Sequence, residues 1–375
     1  MDVISFYEGI TRAGTDFFTG VPDSQLKAFC DYLMDRHGIS EQHIVAANEG
    51  AAVGLAAGHY LASGKPALVY MQNSGVGNAV NPVCSLLSDR VYAIPVLFVI
   101  GWRGEPGVKD EPQHKFQGEI TLPLLDCLQI EYSVLEPDTD AKTFAGMVQA
   151  AQDRLTRGLC YAFVVKKGAL TYANKRKYQN AAPLSREQAL EAILAAAAPD
   201  GVFVSTTGKL SRELFELRER RGQGHERDFL TVGSMGHSLM IALGIAMQKP
   251  DRKVYCLDGD GAMLMHMGSL AVCGSRRCGN LVHIVINNGA HETVGGIPTV
   301  SPSLDMTAAA RACGYDSAAT AFDAASIGAA LRAAQGLSFV EIKTNLEVRS
   351  DLGRPTTTPV ENKMALMRFL REETK

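Results

Sequence analysis

Asp260 stands between two glycines in CLDGDGAMLMHMGSL (256–270), where an apolar run gives way to a Met-rich segment of helical character. Twenty-five residues after Gly261 comes a second polar cluster, NNGAHE (287–292), again at the end of an apolar run, LVHIVI (281–286). A carboxylate from Asp260, an amide oxygen from the Asn pair and a backbone carbonyl just beyond are hard oxygen ligands. Magnesium takes such ligands in an octahedron completed by phosphate and water. Gly259 and Gly261 let backbone amides approach an anion, and a helix expected from about 262 would turn its positive end toward it. A lone Gly-Asp-Gly is equally good as a turn; the two clusters together outline a metal–diphosphate site.

A third residue could do acid–base chemistry. Glu49 follows HIVAA (43–47) and opens a Gly/Ala-rich segment, EGAAVGLAAG (49–58). At a helix N-terminus a glutamate contributes about 0.3–1 kcal/mol. Small surrounding residues would also bury it, and a buried carboxylate needs a partner and favours its protonated form.

The elements that must position these groups repeat. Apolar runs 43–47, 66–71, 95–100, 161–166, 202–206, 253–257, 281–286 and 339–343 alternate with helix-like segments such as 24–37, 140–156, 185–198, 236–248 and 323–335. The alternation predicts α/β architecture, with parallel sheets covered on both faces. The polar stretch YANKRKYQNAAPLSR (172–186) has no apolar periodicity and reads as a linker. In open α/β sheets ligands collect at the carboxyl ends of strands, so the Gly-rich loops QNSGVGNAVNP (72–82) and DGDGAM (258–263) are the first places to look.

A length of 375 residues suits two domains, and 46% apolar residues suffice for two cores. With 37 basic and 40 acidic residues the net charge of −3 offers no general attraction for nucleic acid or an anionic membrane. No apolar run approaches the ~20 residues of a membrane span, and no leader pattern opens the chain, so a cytoplasmic location is expected. The 8 cysteines form no CxxC or zinc-spaced cluster and read as reduced core residues.

GDG-x25-NN is similar to the signature of thiamine diphosphate enzymes. The resemblance implies two doubly wound domains with no middle domain: a pyrimidine-binding domain at 1–172, a linker at 173–186, and a diphosphate- and magnesium-binding domain at 187–375. It makes Asp260 and Asn288 metal ligands through their side chains and Ala290 a ligand through its carbonyl. Gly259, Gly261, Ala262, Ser234, Thr207 and Gly208 would line the cofactor. In VGSMGHS (232–238), Met235 matches the apolar prop that bends the cofactor, and the Gly233 carbonyl matches the acceptor for its amino group. Glu49 matches the glutamate that contacts a pyrimidine nitrogen. The resemblance also implies a homodimer or higher even oligomer, the pyrimidine domain of one copy facing the diphosphate domain of another.

GVPDSQL (20–26), QNSGVGNAVNP (72–82), IGWRGEPGVKDEPQHKFQG (100–118), STTGKLSREL (205–214) and RSDLGRPTTTPVENK (349–363) narrow the resemblance to the phosphonopyruvate decarboxylases, with sulfopyruvate decarboxylases as near relatives. The implied reaction converts 3-phosphonopyruvate to phosphonoacetaldehyde and carbon dioxide. A substrate with two acidic ends needs donors and cations. Ser24, Asn73 and Ser74 are candidate neutral donors, and Arg103, Lys109, Arg349 and Arg354 candidate phosphonate partners. Asp23 and His114 are candidates for proton handling; His237, His266 and His291 flank the cofactor motifs and read as structural. The alternatives are decarboxylation of sulfopyruvate or another 2-oxo acid, and a non-catalytic nucleotide-binding regulator. The last lacks both G-x-x-x-x-G-K-[ST] and a suitably placed G-x-G-x-x-G.

Overall fold

The computed structural model describes residues 1–174 and 176–371, in two compact units, Met1–Lys177 and Tyr178–Lys375. The first unit holds strands β1 (Phe18–Gly20), β2 (His43–Val45), β3 (Ala67–Gln72), β4 (Val96–Gly101), β5 (Glu131–Leu135) and β6 (Tyr161–Val165). They form one parallel sheet in the order β2-β1-β3-β4-β6-β5. The second unit holds β7 (Val202–Ser205), β8 (Asp228–Leu230), β9 (Val254–Gly259), β10 (Leu281–Asn287), a hairpin of β11 (Ala290–His291) and β12 (Ile297–Pro298), then β13 (Ser317–Ala321) and β14 (Ser338–Lys343). Its parallel sheet runs β8-β7-β9-β10-β14-β13. With the hairpin set aside, this is the strand order of the first unit, so each loop at a carboxyl edge in one unit has a counterpart in the other.

The expected α/β class, with two doubly wound parallel sheets, is what the chain adopts. Helices Lys27–Arg36, Ala141–Thr156, Arg186–Ala196, Ser238–Gln248 and Ala324–Ala333 fall within the five expected segments. The stretch expected as linker ends inside structure: Ser185 caps the helix that Arg186 begins, in a capping box with Gln188. Four strands of the two sheets, and both strands of the hairpin, gave no signal in the sequence. β1 and β8 have three residues each, and β5 and β13 are sheet-edge strands in which Glu131, Ser133 and Thr320 interrupt the apolar residues.

The central strands explain the positioning power of the fold. β3, β4 and β6 are buried on both faces, so they read as continuous apolar runs and not as alternation. Ala52, Val53 and Ala56 pack one face, while Phe6, Phe29 and Phe163 meet edge-on over the other. Asn48 caps helix Glu49–Ser63 by accepting from the Gly50 and Ala51 amides, and Gly64 ends it in the left-handed conformation (φ 71°). Among the described residues no helix is long and apolar enough to cross a membrane.

Candidate active site

In the first unit Glu49, Asp23, Asn73 and Arg103 follow the carboxyl ends of β2, β1, β3 and β4, around the point where the strand order reverses between β1 and β3. Glu49 is the first residue of its helix and only 5% exposed. Its Oε2 accepts from Asn78 Nδ2 at 2.7 Å, and the carboxylate lies on Gly75. Burial raises its pKa, against the lowering pull of Asn78. The sequence-based reading of a buried, proton-holding glutamate therefore has a physical basis, and Asn78 is a partner that reading missed.

Asp23 is fully buried against Gly101, and burial pushes its carboxyl up to about 6 despite hydrogen bonding from Gln25 N and the charge of Arg103. Its second oxygen, Oδ1, has no partner among the described residues. Arg103 donates through Nε and Nη2 to both oxygens of Asp110 (2.9 and 2.6 Å) and through Nη1 to Ser24 Oγ (2.9 Å). His114 Nδ1 lies 3.0 Å from Asp110 Oδ1. Four of the expected residues, Asp23, Ser24, Arg103 and His114, thus come together, with Asp110 as an unexpected centre.

Asn73 sits among them in a different capacity. Its amide donates to the Arg103 carbonyl and to Thr121 Oγ1 (both 2.8 Å) while accepting from the Arg103 N–H (3.2 Å). Both amide protons are placed, so Asn73 splices the β3 and β4 loops and has no donor left for a substrate. Ser74 Oγ accepts from Gln72 Nε2 and keeps its own proton. Lys109 is exposed on the loop. Arg349 lies in the second unit, where its guanidinium pairs with Glu187, Glu216 and Asp351; Arg354 is exposed there too.

In the second unit β9 and β10 are adjacent and parallel, so Asp260 and Asn288 leave the same sheet edge, as their spacing predicts. Asp260 is 3% exposed. Its Oδ2 accepts from Thr299 Oγ1 at 2.6 Å and lies 2.9 Å from Ser301 Oγ, which also stands 2.9 Å from Asn287 Oδ1. The hairpin delivers these hydroxyls: Thr299 N donates to Gly289 O, and Ala290 pairs with Pro298. Asn288 Oδ1 accepts from Ala290 N at 3.0 Å. The helix expected from about 262 begins at Asp260 and lasts only six residues, ending before His266. Its dipole is correspondingly small, so an anion at this edge would depend on a cation held by the oxygen ligands.

The donor set fits a hard divalent cation. Burial raises the Asp260 pKa against the two hydroxyls, and no basic side chain pairs with it among the described residues. Asp260, the Asn288 amide and the Ala290 carbonyl are the oxygens that would hold magnesium, with diphosphate completing the shell. Gly261 lies against the loop before helix Ser238–Gln248: a Cβ there would stand 3.4 Å from Met235 Cε and 3.2 Å from His291 Cε1. In that loop Gly233, Ser234 and Gly236 all adopt positive φ, which carries strain only at Ser234 (φ 50°), and Gly233 N donates to Thr207 Oγ1 at 2.9 Å. Met235, Gly261, Gly233, Thr207 and Asp260 thus belong to one carboxyl edge. Gly259 and Ala262 flank Asp260, and Gly208 (φ 98°) opens helix Lys209–Arg220 beside Thr293. His266 packs on Gly236 and against His237 at 4.5 Å between ring centroids. Cys256, Asp258 and His283 cluster in the core below the loop, where the Gly259 amide donates to Asp258 Oδ1 at 3.0 Å and His283 Nε2 lies 3.5 Å from Oδ2.

Two family models match the chain. The N-terminal TPP binding domain of thiamine pyrophosphate enzymes matches residues 5–125, and the C-terminal TPP binding domain matches residues 206–342. Among curated proteins, the phosphonopyruvate decarboxylase of Streptomyces viridochromogenes is 37% identical over 94% of this chain and 91% of its own. That of Streptomyces hygroscopicus is 34% identical over 94% and 90%. A sulfopyruvate decarboxylase of Methanosarcina acetivorans is 25% identical over 89% of each chain, so a single chain carrying both domains does not by itself separate the two substrates. The nucleotide-regulator alternative is displaced. With both binding domains matched in order and relatives aligned over nine-tenths of their length, the chain belongs to the thiamine pyrophosphate enzyme family, in the branch of its phosphonopyruvate decarboxylase relatives.

Proposed function

We propose that this protein decarboxylates 3-phosphonopyruvate to phosphonoacetaldehyde, with thiamine diphosphate and magnesium as cofactors. The observation that carries the reading is 37% identity to a phosphonopyruvate decarboxylase over 91% of that protein. When bound, thiamine diphosphate supplies the electron sink for loss of carbon dioxide. The chain's own groups do the rest. Glu49, buried and prone to hold a proton, is the group that would give that proton to a pyrimidine nitrogen of the bound cofactor. Asp260, Asn288 and Ala290 hold magnesium; Thr207, Gly208, Gly233, Ser234, Gly259, Gly261 and Ala262 line the cofactor, and Met235 supports it. Arg103 and Ser24 meet the phosphonate, with Lys109 and Arg349 as weaker candidates. Asp23 supplies the proton that replaces the departing carboxylate at the carbonyl carbon, and His114, with Nε2 free to accept, is a second proton-handling group beside it.

We further propose a homodimer or higher even oligomer in which Glu49 and Asp260 of one active site come from different copies. Helix Glu49–Ser63 leaves Leu55 and Leu61 exposed beside Gly54 and Gly58, and helix Ser238–Gln248 leaves Met247 exposed on the same chain as an open Gly244. Exposed apolar residues beside open glycines suit close packing against another helix. All eight cysteines are unpaired, which fits a cytoplasmic location.

Steady-state comparison of phosphonopyruvate, sulfopyruvate and pyruvate with saturating cofactor tests the substrate reading. The expected outcome is the highest kcat/KM for phosphonopyruvate; a preference for sulfopyruvate establishes the alternative. Light scattering of the eluting species tests the assembly.

A further inference from the structure

The loop after β4 is organised by a residue that its sequence pattern did not single out. Asp110 Oδ1 accepts from Arg103 Nη2 (2.6 Å), Glu111 N (2.8 Å) and His114 Nδ1 (3.0 Å), and Oδ2 accepts from Arg103 Nε and Gly104 N (2.9 Å each). Five donors on one carboxylate keep it ionised, with its pKa held far below the usual range by the Arg103 and His114 hydrogen bonds despite burial. An ionised carboxylate only accepts, so the proton of a neutral His114 sits on Nδ1 and its Nε2 is left as an acceptor.

The same carboxylate sets the orientation of Arg103. A guanidinium has five N–H donors. Asp110 takes two along the Nε/Nη2 edge and Ser24 takes one from Nη1, which leaves one on each terminal nitrogen. The loop carrying this pair is pinned at both ends: Trp102 Nε1 donates to Gly118 O at 2.9 Å, and a Cβ at Gly104 would fall 1.8 Å from the His114 carbonyl. Only glycine permits that approach.

We infer that Asp110 is the positioning residue for substrate recognition, holding Arg103 by one edge so that its terminal N–H pair meets the acidic tail of the 2-oxo acid. The inference rests on the proposed decarboxylation, since the tail is what distinguishes phosphono- and sulfopyruvate from pyruvate. Planar, two-point recognition of a tetrahedral anion needs the guanidinium plane fixed. Asp110 fixes it without occupying the edge that does the binding. It also balances the charge of Arg103 beside the buried Asp23.

A double-mutant cycle on the magnesium- and cofactor-loaded enzyme tests this, using Asp110→Asn, Arg103→Ala and the double variant, with phosphonopyruvate and sulfopyruvate assayed in parallel. Asp110→Asn should raise KM at least about tenfold, and Asp110→Glu should recover part of that. In the Arg103→Ala background the same substitution should change KM by less than about twofold, because Asp110 acts through Arg103. Thiamine diphosphate affinity within about threefold of wild type reports that the fold is intact. An unchanged KM for Asp110→Asn, or an equal rise with and without Arg103, overturns the inference. Wild-type turnover of sulfopyruvate alone overturns the substrate reading instead, while the cycle run on sulfopyruvate still decides the role of Asp110.

Discussion

The Glu49 carboxylate rests on the Cα of Gly75, so closely that a methyl group built there would stand 2.4 Å from Oε1. Gly75→Ala must therefore displace the glutamate. We expect turnover to fall by at least about tenfold with circular dichroism and thermal midpoint little changed, since only one side chain has to move. Wild-type turnover would show that the Glu49 position is not critical.

Glu49→Gln keeps an acceptor for Asn78 but cannot exchange a proton, and turnover should fall by about a hundredfold or more. Its stability should move the other way. Burial raises the Glu49 pKa, so the folded state retains a proton that the unfolded chain loses. Wild-type stability accordingly declines as pH rises from the ordinary glutamate range through the raised value. Urea unfolding of the apoprotein at pH 4 and pH 8 should find the variant gaining on wild type at the higher pH.

Asp23 makes a second, sharper pH prediction. With its carboxyl raised from 3.8 to about 6, its contribution to stability is fully present below pH 4 and lost as pH rises to about 6. The loss is about 3 kcal/mol at most. Asp23→Asn should flatten that part of the stability profile. In the free enzyme it should also remove a titration near pH 6 from the kcat/KM profile; persistence of that titration would assign it elsewhere.

Asp260→Ala should abolish magnesium-dependent binding of thiamine diphosphate in a calorimetric titration. Thr299 gives a finer test: it donates to Asp260 Oδ2 at 2.6 Å and does not belong to the expected ligand set. Thr299→Val should weaken cofactor binding about tenfold, the range seen when a hydrogen-bond partner of a metal ligand is removed. Binding equal to wild type would mean that Ser301 alone suffices.

Met235 is half-buried, with its terminal methyl beside Gly261. Met235→Ala should fold, since little core packing is removed. We expect kcat to fall about tenfold or more with a smaller change in KM, measured with saturating cofactor.

Much of the architecture was legible because buried parallel strands announce themselves as unbroken apolar runs. β3, β4, β9, β10 and β14 were all found within a residue or two of their ends. The sheet strands that escaped, β1, β5, β8 and β13, are three residues long or lie at an edge, where half-solvated chains carry little apolar signal, and the two-residue hairpin strands β11 and β12 escaped with them. The repeated strand order of the two units emerged only from hydrogen-bond pairing, because register between distant strands leaves no trace in local composition.

The candidate site divides along the same line. Asp260, the Asn287–Asn288 pair and Glu49 were legible as candidates from residue type and from the apolar runs that precede them, whereas the choice of Asn288 and the part expected of Met235 came only with the family resemblance. Asp110, Asn78, Thr299 and Ser301 were not legible, and neither was the use of Asn73 to splice two loops instead of facing a substrate. These residues act through partners brought beside them by separate strands and by the β11–β12 hairpin. Spacing along the chain determines which groups can be ligands; packing across the sheet edge alone decides which neighbours hold those groups in place and set their charge.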